Sequence, residues 1–179
     1  MKRVFLILLF VCVSSSAFAQ AQIGLRGGLD LCLDNGKAKC DSLKPGYSVT
    51  LAPGYQFHTF AAVHLDINFS SVNAENDKAP DITFFHVIPM LSGVIDTGAA
   101  IISIGGGVGY NRLKMSQGSM GFEANTYLAI KAALALMFPI NKQLSMGLGV
   151  DYVYNGEMEA CINDKCNKND MISQLHANL

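Results

Sequence analysis

Large apolar side chains recur at alternate positions through most of this chain, and the stretch from Asn125 to Tyr154 shows the pattern most fully. Leu128, Ile130, Leu134, Leu136 and Phe138 alternate with Ala129, Lys131, Ala133, Ala135 and Met137. After Asn141-Lys142, Leu144, Met146, Leu148, Val150, Tyr152 and Tyr154 alternate with Ser145, Gly147, Gly149, Asp151 and Val153. Period two over two long segments predicts a hairpin with one bulky apolar face and one face of small and polar residues. A soluble sheet hides its apolar face under a second layer and wets the other. Here the second face, made of Gly, Ala, Ser and scattered charges, is too small and too polar for a water-facing exterior. The pattern fits a membrane barrel whose apolar side meets lipid around a narrow bore. A soluble exported barrel of lipocalin type would require the same apolar set to point inward.

The rest of the chain repeats the scheme. Ile23, Leu25, Leu29 and Leu31 alternate with Gly24, Arg26, Gly28 and Asp30 in a first strand over 22–31. A second strand over 46–57 sets Tyr47, Val49, Leu51, Pro53, Tyr55 and Phe57 against Ser48, Thr50, Ala52, Gly54 and Gln56. Pro53 cannot donate to a ladder, so a bulge is expected there. The third strand, 61–70, alternates Val63, Leu65, Ile67 and Phe69 with His64, Asp66, Asn68 and Ser70. The fourth, 82–95, has His86, Ile88, Met90 and Ser92 on its inner face, which must therefore be packed rather than wet. A two-residue turn at Asp96-Thr97 would lead into a fifth strand ending at Asn111 and place Ile88 opposite Gly105 and His86 opposite Gly107. The same reasoning at the next tight turn places Lys131 directly opposite Asp151. Residues 111–123 and 155–170 read as polar loops, and 171–179 as a weak last strand. The count is eight strands, all-β, in an antiparallel up-and-down transmembrane β-barrel. Connections after odd strands are long and polar and those after even strands short, the parity of a barrel with long loops outside the outer membrane and turns in the periplasm.

Export is legible at the N-terminus. Lys2 and Arg3, a ten-residue apolar run from Val4 to Val13 and Ala17-Phe18-Ala19 predict a signal peptide over 1–19, cut between Ala19 and Gln20. The apolar run is far short of the ~20 residues of a spanning helix. The barrel domain would then be 20–179. Removing Lys2 and Arg3 leaves eleven basic residues of the original 13 against 14 acidic ones, a net charge of −3. No basic stripe is present to recruit nucleic acid. Mean hydropathy is nonetheless +0.29. High hydropathy without a spanning helix leaves alternating membrane strands.

Of the 5 cysteines, Cys12 departs with the signal, and Cys32, Cys40, Cys161 and Cys166 remain. An even number in an exported chain predicts two disulfides, with the short spacings favouring Cys32-Cys40 and Cys161-Cys166 among three possible pairings. The spacing has no CxxC pair or neighbouring histidines, and no metal or other cofactor is expected.

Two pieces, Val87-Ile88-Pro89-Met90-Leu91 and Ile104-Gly105-Gly106-Gly107-Val108-Gly109-Tyr110, resemble the I-P-L-L and G-x-G-x-G-Y strands of the small bacterial outer-membrane β-barrel family, porin-like and related in architecture to OmpA and OmpX proteins. The resemblance implies an integral outer-membrane protein inserted by the barrel assembly machinery. The family usually closes on a terminal aromatic residue, where this sequence has Leu179.

Arg26, Asp30, His64, Asp66, Lys131, Asp151 and His176 are predicted to face the bore. They could form a proton or ion path, but eight strands leave an interior just wide enough for side chains, so internal pairing is the expectation. His64, Ser70, His86 and Ser92 supply the residue types of a lipid-directed hydrolase without any nucleophile motif around them. Outward aromatics near strand ends (Tyr47, Phe57, Phe69, Tyr110, Phe138, Tyr152 and Tyr154) match interfacial girdles. The expected role is structural or surface-interacting and non-catalytic. Small-solute permeation is the alternative, and the lipid-modifying hydrolase the lesser one. Expected partners are outer-membrane lipids and an extracellular partner at the cysteine-bearing loops, 31–45 and 155–170.

Overall fold

The computed structural model describes residues 20–33, 40, 43–74, 81–117, 120–141, 144–162, 165–170 and 173–179. The expected export signal lies outside the described residues. The strands are β1 (Gln20–Leu33), β2 (Leu43–His58), β3 (Ala61–Ala74), β4 (Asp81–Asp96), β5 (Ile101–Gln117), β6 (Met120–Pro139), β7 (Ser145–Asn155), β8 (Glu157–Ile162), β9 (Lys165–Asp170) and β10 (Ser173–Asn178). Eight of them close one antiparallel barrel in the order β1-β10-β7-β6-β5-β4-β3-β2, and β8 and β9 form a separate hairpin. Closure gives each barrel strand two neighbours, but the short β10 pairs β1 only over Gly28–Leu33 and β7 only over Gly149–Val153, so the starts of β1 and β7 are paired on one side alone among the described residues.

The alternation resolves into an outside and an inside. Leu25, Leu51, Leu91, Ile104, Leu134, Leu148 and Val150 are exposed on the outer wall, whereas Asp30, Asp66, Lys131, Asp151 and His176 are buried within. Aromatic residues mark two levels of the wall. Tyr47, Phe69, Phe85 and Tyr152 lie toward the end bearing the long excursions, and Tyr55, Phe60 and Phe138 toward the short turns. From Phe60 to Phe69 the wall runs roughly 30 Å along the strand, or about 23 Å along the axis at a ~40° tilt. That height matches the ~25 Å apolar band of a membrane barrel.

Both expected registers shift by an even number of residues. β4 pairs with β5 so that Met90 faces Gly107 and His86 faces Asn111, because the turn spans residues 97–100 and not two. Gly98 supplies its left-handed bend at φ 81°, and the Asp96 side chain accepts a hydrogen bond from its N–H at 2.7 Å. β6 pairs with β7 so that Lys131 faces Val153 and Asp151 faces Ala133. An even slip keeps each side chain on its own face, so the inside and outside sets survive. The bore still matches small to large: a Cβ on Gly107 would stand 2.7 Å from Met90 Sδ and 2.9 Å from Ile88 Cγ2.

Pro53 carries no bulge. β2 keeps its register with β1 through Ile23↔Pro53. On the β3 side the pairing skips from Leu51↔Ile67 to Gly54↔His64 without inserting a residue. Losing one donor interrupts a ladder but need not shift it. Irregularities fall between Lys44 and Tyr47, between Gln56 and His58, and between Gly109 and Asn111.

Two expected loops contain strands. The segment 111–123 continues the β5–β6 ladder up to Gln117↔Met120, and 155–170 holds the β8–β9 hairpin, in which Cys161 stands opposite Cys166. Polar residues above a membrane can pair by backbone alone, so composition concealed the ladder. Cys32 and Cys40 form a disulfide with Cα atoms 5.8 Å apart, while the side chains of Cys161 and Cys166 lie outside the described set.

Candidate functional site

The inward positions stack the bore into four layers. Nearest the short turns is an ionic cluster drawn from four strands. Arg26 on β1 reaches Asp66 on β3 at 2.6 Å and Asp151 on β7 at 3.6 Å. Lys131 on β6 lies 2.7 Å from both carboxylates. Two cations and two anions thus neutralise one another. His64 stands 3.3 Å from Asp66 at the edge of the cluster, and Asn178 donates to Asp151 at 2.9 Å. Lys131, Asp66 and Asp151 have almost no exposed surface. Buried charges persist only when paired in this way.

Beside and above the cluster, Ile88, Met90, Ala129 and Val153 pack together as an apolar layer. A third layer is a network of amides and two imidazoles around one carboxylate. Gln174 donates to Asp30 at 2.6 Å and to Ser70 at 3.0 Å, and its carbonyl accepts from Asn155 at 3.2 Å. Asn111 donates to Asn155 at 2.9 Å. His86 bridges Asn155 at 3.0 Å and Asn68 at 3.2 Å, and Asn68 donates to Thr50 at 2.7 Å. His176 Nε2 sits 3.4 Å from Asp30. The fourth layer, toward the long excursions, is apolar: Val72, Ile82, Phe84 and Leu113 are all buried.

Each predicted bore residue therefore has a definite place. Arg26, His64, Asp66, Lys131 and Asp151 meet in one cluster. Asp30 and His176 meet in the other network, and all seven lie inside the wall. Sequence reasoning did not single out Gln174, Asn155, Asn111, Asn68 or Thr50 as network members, nor the apolar cap. Their signal was parity alone, since each falls on the inward set of its strand. The four hydrolase candidates do not gather at one place but split between two levels, His64 and Ser92 toward the short turns and Ser70 and His86 toward the long excursions. His64 faces Asp66, His86 faces two asparagines, and Ser70 accepts from Gln174. Ser70 is also six residues from His64 along β3, about 20 Å in a strand.

The interior gap bounded by Asp66, Asn68, His86, Ile88, Lys131, Val153 and His176 has no room for a water-sized sphere. An ion crossing it would have to break the paired charges and displace Phe84 or Leu113 from the cap.

No protein-family model matches this sequence, and no curated protein matches it. Solved structures that align with this chain include two small barrels from bacteria, one of them at a TM-score that shows the fold. Neisserial surface protein A aligns with a TM-score of 0.62 and 12% identity, over 89% of this chain and 95% of that one. Ail, the attachment invasion locus protein of Yersinia pestis, aligns with a TM-score of 0.46 and 11% identity, over 89% and 96%. The chain has a closed eight-stranded antiparallel barrel fold, and at such identity the match to the neisserial protein is a likeness of fold.

Proposed function

We propose that this chain is an integral outer-membrane barrel with a structural or surface-interaction role, and that it neither conducts nor catalyses. The carrying observation is the contrast between wall and bore. The wall is a continuous apolar belt between two aromatic levels, and the bore is closed by mutually neutralised charges beneath an apolar cap. A barrel built to pass solutes spends its interior on water, whereas this one fills it with side chains. What remains for function is the end bearing the long excursions, where the β5–β6 ladder and the β8–β9 hairpin stand and where the Cys32-Cys40 disulfide ties β1 to its following loop. The fold shared with a neisserial surface protein supports the same reading. A partner would engage 31–45 and 155–170, which flank the β1–β10 seam.

Two measurements on protein refolded into lipid vesicles test it. Heat-modifiable migration on gels should report a closed, detergent-stable barrel. Planar bilayers containing that protein should be electrically silent. Steady single-channel currents would overturn the non-conducting assignment in favour of small-solute permeation.

A further inference from the structure

The outer wall is concave where β2, β3, β4 and β5 run side by side. On both flanks of the β3–β4 ribbon the ladders lapse. β2 skips Ala52 and Pro53 between Leu51↔Ile67 and Gly54↔His64. β4 skips Ile88 and Pro89 between Val87↔Tyr110 and Met90↔Gly107. Leu65, which faces the β2 lapse, is paired with Pro89 across the ribbon, so the two lapses lie at one level. Each holds a proline, which has no N–H to donate. Gly106 on β5 then adds no side chain to the outer face. A groove of about 520 Å³ results, lined on its outer side by Pro53, Tyr55, Leu65, Pro89, Leu91 and Gly106.

We propose that this groove seats one acyl chain of a membrane phospholipid. The inference rests on the membrane reading above and adds a site to it. The groove opens into the apolar belt, where Leu51, Val63, Leu91 and Ile104 are all exposed. A water-soluble partner cannot reach that depth. The outward lining is apolar; His64 also lines the groove, but its imidazole is engaged with Asp66 at 3.3 Å on the bore side, so the complement of the outer face is hydrocarbon. A second barrel would offer a convex wall and touch only the rims, while a methylene chain bends to follow a crooked depression. The gain comes from dispersion contact and not from excluding water, because the chain is already in an apolar solvent.

The test uses the full-length protein reconstituted in vesicles of palmitoyl-oleoyl phosphatidylethanolamine, transferred to mild detergent and weighed intact by native mass spectrometry. The wild-type barrel should retain a single phospholipid. Gly106→Leu fills the β5 edge of the groove and should lower that occupancy about tenfold. Gly27→Leu, an outward glycine on the β1 wall, should leave it unchanged. A Cβ at Gly106 meets nothing nearer than Lys131 O at 3.5 Å, and at Gly27 nothing nearer than Ser48 O at 4.0 Å, so both variants should fold. Heat-modifiable migration checks this separately. Equal retention in all three proteins, or none in wild type, overturns the acyl-chain site. A wild-type dimer that Gly106→Leu dissociates overturns it in favour of a second copy. Loss of heat-modifiable migration in wild type would instead sink the membrane reading on which the site depends.

Discussion

Replacing Lys131 with methionine isolates the central charge of the bore at nearly constant volume. The ammonium lies 2.7 Å from Asp66 and 2.7 Å from Asp151. At an effective dielectric of about 20, each contact carries a Coulomb attraction of roughly 6 kcal/mol. Most of that attraction offsets the desolvation of three buried charges. Arg26 stays within 2.6 Å of Asp66 and 3.6 Å of Asp151, so Lys131→Met leaves one uncompensated carboxylate and not two. The expected loss is that of breaking a single buried pair, about 3–5 kcal/mol. Urea unfolding of vesicle-inserted protein, followed by the gel shift between folded and unfolded forms, measures it. Adding Asp151→Asn to Lys131→Met restores neutrality and should recover more than half of the loss. A cost below about 1 kcal/mol, the value of an exposed pair, would refute the argument that this cluster is held as a buried, charge-balanced unit. So would a double variant no more stable than Lys131→Met alone.

Two further substitutions probe packing and the rim. Gly107→Val sets a Cβ too close to the Pro89 carbonyl oxygen as well as against Met90 and Ile88, so the β4 backbone must shift and the loss should exceed the about 1–3 kcal/mol of ordinary side-chain overpacking. The same unfolding assay reads this, with Gly106→Val as the outward-facing control expected to cost less. Replacing Cys32 and Cys40 together by serine opens a loop with a sequence separation of 8. Loop entropy puts the loss near 2.5 kcal/mol, and an unfolding midpoint unchanged from the oxidised wild type would show that the disulfide constrains nothing beyond the strand pairing.

How far the fold was legible depended on which rule each element obeyed. Side-chain parity assigned Leu134, Leu148 and Val150 to the outside and Lys131 and Asp151 to the inside, and both assignments stand. Register was not legible. The sequence predicts two tight turns, yet β4 pairs with Met90 opposite Gly107 and β6 with Lys131 opposite Val153. Even slips preserve the pattern from which they would have to be detected. Strand length is underestimated beyond the apolar belt because Arg112, Lys114, Ser116 and Glu123 make the segment read as a polar loop, although their backbones pair. The ionic half of the bore could be anticipated because charged residues among Leu and Ala stand out. Gln174, Asn155 and Asn111 could not, since a neutral amide looks the same in a loop as in a buried network. The cap was missed for the opposite reason: Val72, Ile82 and Leu113 sat at segment ends read as loop margins.

The ionic cluster also bears on how the cylinder comes into being. Its four charged members sit at positions 26, 66, 131 and 151, so they come from strands spread across nearly the whole barrel. A curved sheet that has acquired only β1 through β3 holds Arg26 against Asp66. The arrival of β6 adds a cation with a single anion to share, and only the docking of β7 brings the tally back to zero. Each intermediate that exposes such an unbalanced charge to hydrocarbon is penalised. The circle therefore tends to complete in one event, and a partly wound sheet left in the bilayer would be marked by the charge it lacks.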